Sequence, residues 1–283
     1  MYILLAFLSA LFSAITAILG KLGLSRIDSN VATFFRTCIV IVFLWCFVFA
    51  IGAHRGISSL SGTNVLFLIL SGCVAGGSWI CYYKALSIGD VGRVTAIDKS
   101  SVILTMLLGI SLLGENINTL KLIGLSAIAV GTYFMLGKLS RGGTANAYMF
   151  FAAASAVLAA MTAVFAKIGL ADIDANLGTA IRTIIVLIFS GLMLPVTGST
   201  KRFDTVNRRD MVFLCLSAIA TSLAWLCYFN AIQIGEVSIV APIDRLSTVI
   251  TIAFSAAILK ERITKPMWVG VGIQTVGTII LTL

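Results

Sequence analysis

The sequence predicts an all-α integral membrane protein: ten transmembrane helices arranged as two inverted five-helix repeats. Three observations predict it. The 283 residues are 59% hydrophobic and 11% charged, whereas about a quarter of an average globular domain is charged. Apolar runs that approach the roughly 20 residues needed to cross a bilayer core recur along the chain, leaving little for a soluble domain. The second half also repeats the first at one fixed offset, the 146 residues that separate Asp98 from Asp244.

In chain order, the apolar runs cover 2–20, 31–52, 64–84, 93–113 and 120–137, then 147–166, 177–197, 211–231, 238–258 and 266–283. The first is followed at once by further spans and lacks a small-residue cleavage site, so it reads as a helix rather than a signal peptide. The repeat divides the chain into 1–140 and 147–283. "ITAILGKLGLSRIDSNVATFFRT" from Ile15 aligns without a gap on "MTAVFAKIGLADIDANLGTAIRT" from Met161. "WICYYKALSIGDV" from Trp79 aligns on "WLCYFNAIQIGEV" from Trp225. Matched leucines follow from composition alone. Matched Lys21/Lys167, Arg36/Arg182, Trp79/Trp225 and Glu115/Glu261 do not. Five crossings is an odd number, so the second repeat starts on the opposite side and is inverted, an arrangement common in transporters.

Composition removes other function classes. The net charge of +9 comes with no soluble basic domain or aromatic platform, so nucleic acid is not an expected partner. Cys38, Cys46, Cys73, Cys81, Cys215 and Cys227 all fall in apolar spans without metal-ligand spacing. No catalytic triad, phosphate loop or zinc signature appears. No enzyme, metal or cofactor is expected.

The residues that point to a site are charges buried in apolar runs. Asp98-Lys99 and Asp244-Arg245 lie about five residues into the fourth and ninth spans, and Arg36 and Arg182 about as far into the second and seventh. At 1.5 Å per residue these sit roughly 7–9 Å inside a membrane face. A lone charge there costs about 2.5–3.5 kcal/mol on insertion scales, so such residues pair or face water. Arg36 is expected to pair with or approach Asp98, and Arg182 to do so with Asp244, with Lys99 and Arg245 extending each cluster. Lys21 and Lys167 end the first and sixth spans and read as interface anchors reaching headgroups.

Aromatic residues occupy the same layers. Trp79, Tyr82 and Tyr83 approach one face, and Trp225, Tyr228 and Phe229 the other. An interfacial belt and the wall of a solute cavity both account for them. Gly72 and Gly76 have the small-xxx-small spacing that lets helices pack closely in lipid. Pro242 falls near the start of the ninth span, where a missing amide matters least.

The "LLGENI" and "ILKERI" span endings, the "FFRT" and "AIRT" arginines, and the "ALSIGDVGRVTAI" and "AIQIGEVSIVAPI" connections resemble the EamA family of the drug/metabolite transporter superfamily over nearly the whole chain. The resemblance implies an alternating-access carrier of small organic solutes with a cavity lined by helices 1, 3, 4, 6, 8 and 9. The chain departs from the family's usual pattern, which has a proline deeper in helices 4 and 9. The related small multidrug exporters carry a glutamate in helix 1, and here that helix has no acidic residue. Lys21, Arg36, Lys99 and Asp98 sum to +2, as do their counterparts, which favours an amino acid or other carboxylate-bearing solute. Asp98 and Asp244 are the candidates for coupling to protons. The rival reading, a non-transporting scaffold or sensor subunit, predicts a packed, dry centre.

Twelve Lys and Arg flank one face and three (Arg55, Lys121, Lys167) the other. The positive-inside rule then places both termini outside, whereas the resemblance implies termini inside. The expected setting is a bacterial-type inner membrane, the chain acting as a monomer or homodimer in the lipid bilayer.

Overall fold

The computed structural model describes residues 1–23, 29–88, 97, 100–136, 145–199, 208–258 and 265–282. Most of those residues are helical, and none of them lies in a strand. The elements are α1 (Tyr2–Gly23), α2 (Ser29–Ala50), a 3-10 helix (Ala53–Ser59), α3 (Gly62–Ile88), α4 (Ser101–Leu113), α5 (Thr119–Leu136) and α6 (Ala145–Gly169). They continue with α7 (Ala175–Val196), α8 (Arg208–Ile234), α9 (Val237–Asp244), α10 (Leu246–Ile258) and α11 (Lys265–Ile280). Among the described residues, six helices are long and apolar enough to cross a membrane: α1, α2, α3, α6, α7 and α8.

On α1 and α6, side-chain size decides which face turns inward. On α1, Ala6, Ala10 and Ala14 are buried, whereas Leu4, Phe7 and Leu11 are exposed. On α7, Ile184, Ile188 and Leu192 form an exposed stripe at four-residue spacing. Lipid tails are as apolar as leucine, so no hydrophobic force separates these faces. Small residues go inward because they let backbones approach. The same alanine stripe recurs at Ala152, Ala156 and Ala160 on α6, shifted from the first by the repeat offset.

The packing is reciprocal. The α1 helix packs on α8 and α6 packs on α3, while α2 packs on α7 and α5 on α11. The α5 and α11 helices cross antiparallel through glycines. A Cβ added at Gly131 would lie 2.6 Å from the Gln274 amide nitrogen and 2.8 Å from the Gly270 carbonyl. One added at Gly124 would lie 3.0 Å from the Gly277 carbonyl. The Gly72 and Gly76 pair instead receives side chains, Ile185 and Phe189 of α7.

The ninth span, read from the sequence as one run, is two helices interrupted at Arg245. Pro242 lies inside the first of them. It removes a backbone donor and crowds the preceding turn. Three residues on, the chain tightens, and the Thr248 amide donates to the Arg245 carbonyl at 3.0 Å. The Asp244-Arg245 pair therefore marks a tightened turn where the two helices join: Arg245 keeps right-handed helical backbone angles and its amide still donates to the Ala241 carbonyl at 3.2 Å.

Candidate functional site

A cavity of about 370 Å³ opens among α1, α3, α6, α7, α8 and the α9–α10 junction. That is within the range of small-molecule sites and unlike the packed centre a scaffold predicts. Ser9 and Ser13 of α1 and Ser78 of α3 line one part, and Trp79 and Trp225 both reach it. Arg182, Tyr228, Phe229, Asp244 and Arg245 line the rest.

Arg182 stands seven residues into α7, about 10 Å along the helix, and is only 5% exposed. Its Nε donates to Ser71 Oγ at 2.9 Å, and Ser71 donates onward to the Thr162 carbonyl at 2.8 Å. The guanidinium carbon lies 4.7 Å from the Phe229 ring centre and 5.9 Å from that of Trp225, close enough for cation–π attraction. Its terminal nitrogens donate no hydrogen bond to any described residue. Asp244 accepts from Ser9 Oγ at 2.6 Å. Arg245 Nη2 donates to Ser101 Oγ at 3.2 Å. Arg182 and Asp244 thus share one cavity, as a pairing or an approach of the two would have them, but each bonds to a serine hydroxyl and they make no direct ion pair.

Polar contacts join the helices at the end where Glu115 lies. Glu115, just past α4, accepts from the Val237 and Ser238 amides at 2.6 and 2.9 Å and so caps α9. Carboxylates are favoured at such helix starts. Lys121 pairs with Glu236 and donates to the Asn116 carbonyl at 2.6 Å. Asn64 reaches the Gly169 and Ala171 carbonyls, and Gln233 those of Leu170 and Ile173. These amides satisfy carbonyls that the end of α6 leaves without helical partners. Lys167, expected to reach headgroups, donates to the Gly235 carbonyl instead.

Of the residues singled out from the sequence, Trp79, Arg182, Trp225, Tyr228, Asp244 and Arg245 meet in the cavity. Arg36 is half-buried on α2, outside the lining. Tyr82 packs instead against Ala85, Tyr148 and Ala152. Asp98, Lys99 and the side chain of Tyr83 lie outside the described residues. The serines were missed. Their signal was the repeat itself: Ser9 and Ser71 have serine counterparts at Ser155 and Ser217.

Two segments of the chain, 1–137 and 146–283, each match the EamA-like transporter family. A Sinorhizobium protein described as an uncharacterized transporter in the cobO 3' region is 38% identical over 130 residues, 46% of this chain and 92% of that protein. An uncharacterized Methanocaldococcus jannaschii protein, MJ1333.1, is 28% identical over 83 residues, 29% of this chain and 61% of that protein. A solved crystal structure shares the fold, with a TM-score of 0.83, 15% identity, and coverage of 99% of this chain and 96% of the other.

Proposed function

Because this chain belongs to the EamA-like transporter family, a family of multi-pass membrane proteins, we propose that it is a secondary-active, alternating-access carrier of a small carboxylate-bearing solute, an amino acid or another organic acid. The single observation that carries the substrate reading is Arg182. It is a nearly fully buried guanidinium that lines the cavity and, beside its contacts with the Phe229 and Trp225 rings, donates only Nε to the described residues. A planar fork of N–H donors left over in a cavity suits bidentate binding of a carboxylate.

The carrier mechanism rests on ten crossings in two inverted five-helix halves, 1–140 and 147–283. The reciprocal packing of α1 on α8 and α6 on α3 supports that arrangement, as does the antiparallel glycine crossing of α5 and α11. In this conformation the Glu115 end is the closed gate. Opening it requires release of the α9 cap and the Lys121–Glu236 pair. The proposed setting is a bacterial-type inner membrane, with protons as the coupling ion.

Uptake into proteoliposomes holding the purified chain tests the reading. Labelled amino acids and organic acids are offered with and without a pH gradient. Accumulation of at least one carboxylate above protein-free vesicles supports a carrier. Indifference to the gradient removes protons as the driving ion. Failure of every carboxylate, with an amine or neutral solute entering instead, overturns the substrate reading.

A further inference from the structure

We infer, building on the carrier reading above, that the solute is a zwitterion: its carboxylate sits on Arg182 and its ammonium group on Asp244. Two opposite charges line one cavity and do not bond to each other. Each is fixed on one side by a serine from the other half of the chain, Arg182 by Ser71 and Asp244 by Ser9. Each also keeps a free side. Arg182 has its terminal nitrogens, and Asp244 has its second oxygen, which accepts no hydrogen bond from any described residue.

Buried opposite charges attract strongly at low dielectric, and leaving them apart is costly unless something satisfies both. Each is bonded to a serine rather than to the other. A solute carrying both signs completes both sites at once. A simple anion satisfies Arg182 but brings its charge towards Asp244. A simple amine satisfies Asp244 but leaves Arg182 uncompensated. Arg245, next in sequence, is turned to Ser101 and makes no ion pair with Asp244, so the aspartate is not neutralised by direct pairing. Trp79 and Trp225 bring apolar surface to the same space, which suits an uncharged side chain on the zwitterion.

Asp244 is thereby assigned to the solute, a role distinct from carrying a proton alone. The test uses the intact wild-type chain in detergent and two matched series. One is phenylalanine, 3-phenylpropanoate and 2-phenylethylamine. The other is leucine, 4-methylpentanoate and 3-methylbutan-1-amine. Thermal stabilisation gives an apparent affinity for each, since a ligand that binds only the folded chain stabilises it by mass action. The expected result is that in at least one series the amino acid binds about 10- to 100-fold more tightly than either singly charged relative, the worth of one charge-assisted hydrogen bond. Asp244→Asn is expected to bring the amino acid and its deaminated acid to within about threefold of each other.

If the carboxylate binds as well as its amino acid, the zwitterion inference fails and the carboxylate carrier stands. If only the amine binds, or none of the six does, both fail. If Asp244→Asn leaves the preference for the amino acid intact, Asp244 does not hold the ammonium group and the assignment is overturned. Because the wild-type series needs no variant, the inference remains testable if Asp244→Asn does not fold.

Discussion

Ser71 and Ser217 make the same hydrogen bond in opposite halves of the chain. Ser71 Oγ donates from α3 to the Thr162 carbonyl of α6 at 2.8 Å, and Ser217 Oγ donates from α8 to the Thr16 carbonyl of α1 at 3.0 Å. Donors and acceptors both stand one repeat apart. The difference lies in what else each serine meets: only Ser71 also receives Arg182.

Ser217→Ala therefore affects stability alone. Hydrogen bonds between helices in a membrane average about 0.6 kcal/mol, so the variant should unfold slightly earlier and transport normally. Ser71→Ala should show the same small loss of stability and, in addition, lose solute affinity, because Arg182 is no longer aimed. Parallel melting curves and uptake rates check both. Equal transport by the two variants would remove Ser71 from the site.

Gly131→Ala tests the crossing of α5 and α11. The new methyl meets the Gln274 backbone at 2.6 Å, where no flexible side chain can give way. Overpacking of this kind costs about 1–3 kcal/mol. Gly277→Ala meets the Ala127 Cβ at 2.8 Å and the Gly124 carbonyl at 3.0 Å and should cost a similar amount. Thermal unfolding of the purified variants reads the loss. Gly272→Ala, where nothing lies within 4 Å of the added Cβ, is the control expected to melt like wild type.

How much of this was legible beforehand depends on the residue. The matched Trp79 and Trp225 announced themselves, because tryptophan is rare enough for a fixed offset to mean something. Their place did not, since belt and cavity wall carry the same sequence signal, and only the helix partners of α3 and α8 separate them. Tyr82 shows the converse. It lies three positions after Trp79 on the same helix, yet packs on Tyr148 because α6 covers that side. The Ala6–Ala14 and Ala152–Ala160 stripes were hidden by composition, because in a chain this apolar an alanine stands out only once its neighbours are seen turning outward. The tightened turn at Arg245 was hidden by register: Pro242 is harmless within a helix's first turn, and here it falls six positions into α9.

Glu115→Gln should loosen the closed end. The carboxylate caps two α9 amides, and losing such a cap costs about 0.5–2 kcal/mol. If the cap is made only in this conformation, that cost shifts the balance towards the one open at the Glu115 end by about 2- to 30-fold. A thiol at the cavity-lining position, Ser13→Cys, reports it. Its labelling by an impermeant reagent added from the Glu115 face should speed up in the Glu115→Gln background. Unchanged labelling would mean that this end is not a gate.

Whether Arg182 seats the solute's carboxylate is read from carboxylate uptake by Arg182→Gln beside wild type in proteoliposomes. The variant should insert and melt within a few degrees of wild type, since the replacement removes a buried charge, yet accumulate no more carboxylate than empty vesicles. Wild-type uptake by a folded Arg182→Gln protein would contradict that role of Arg182.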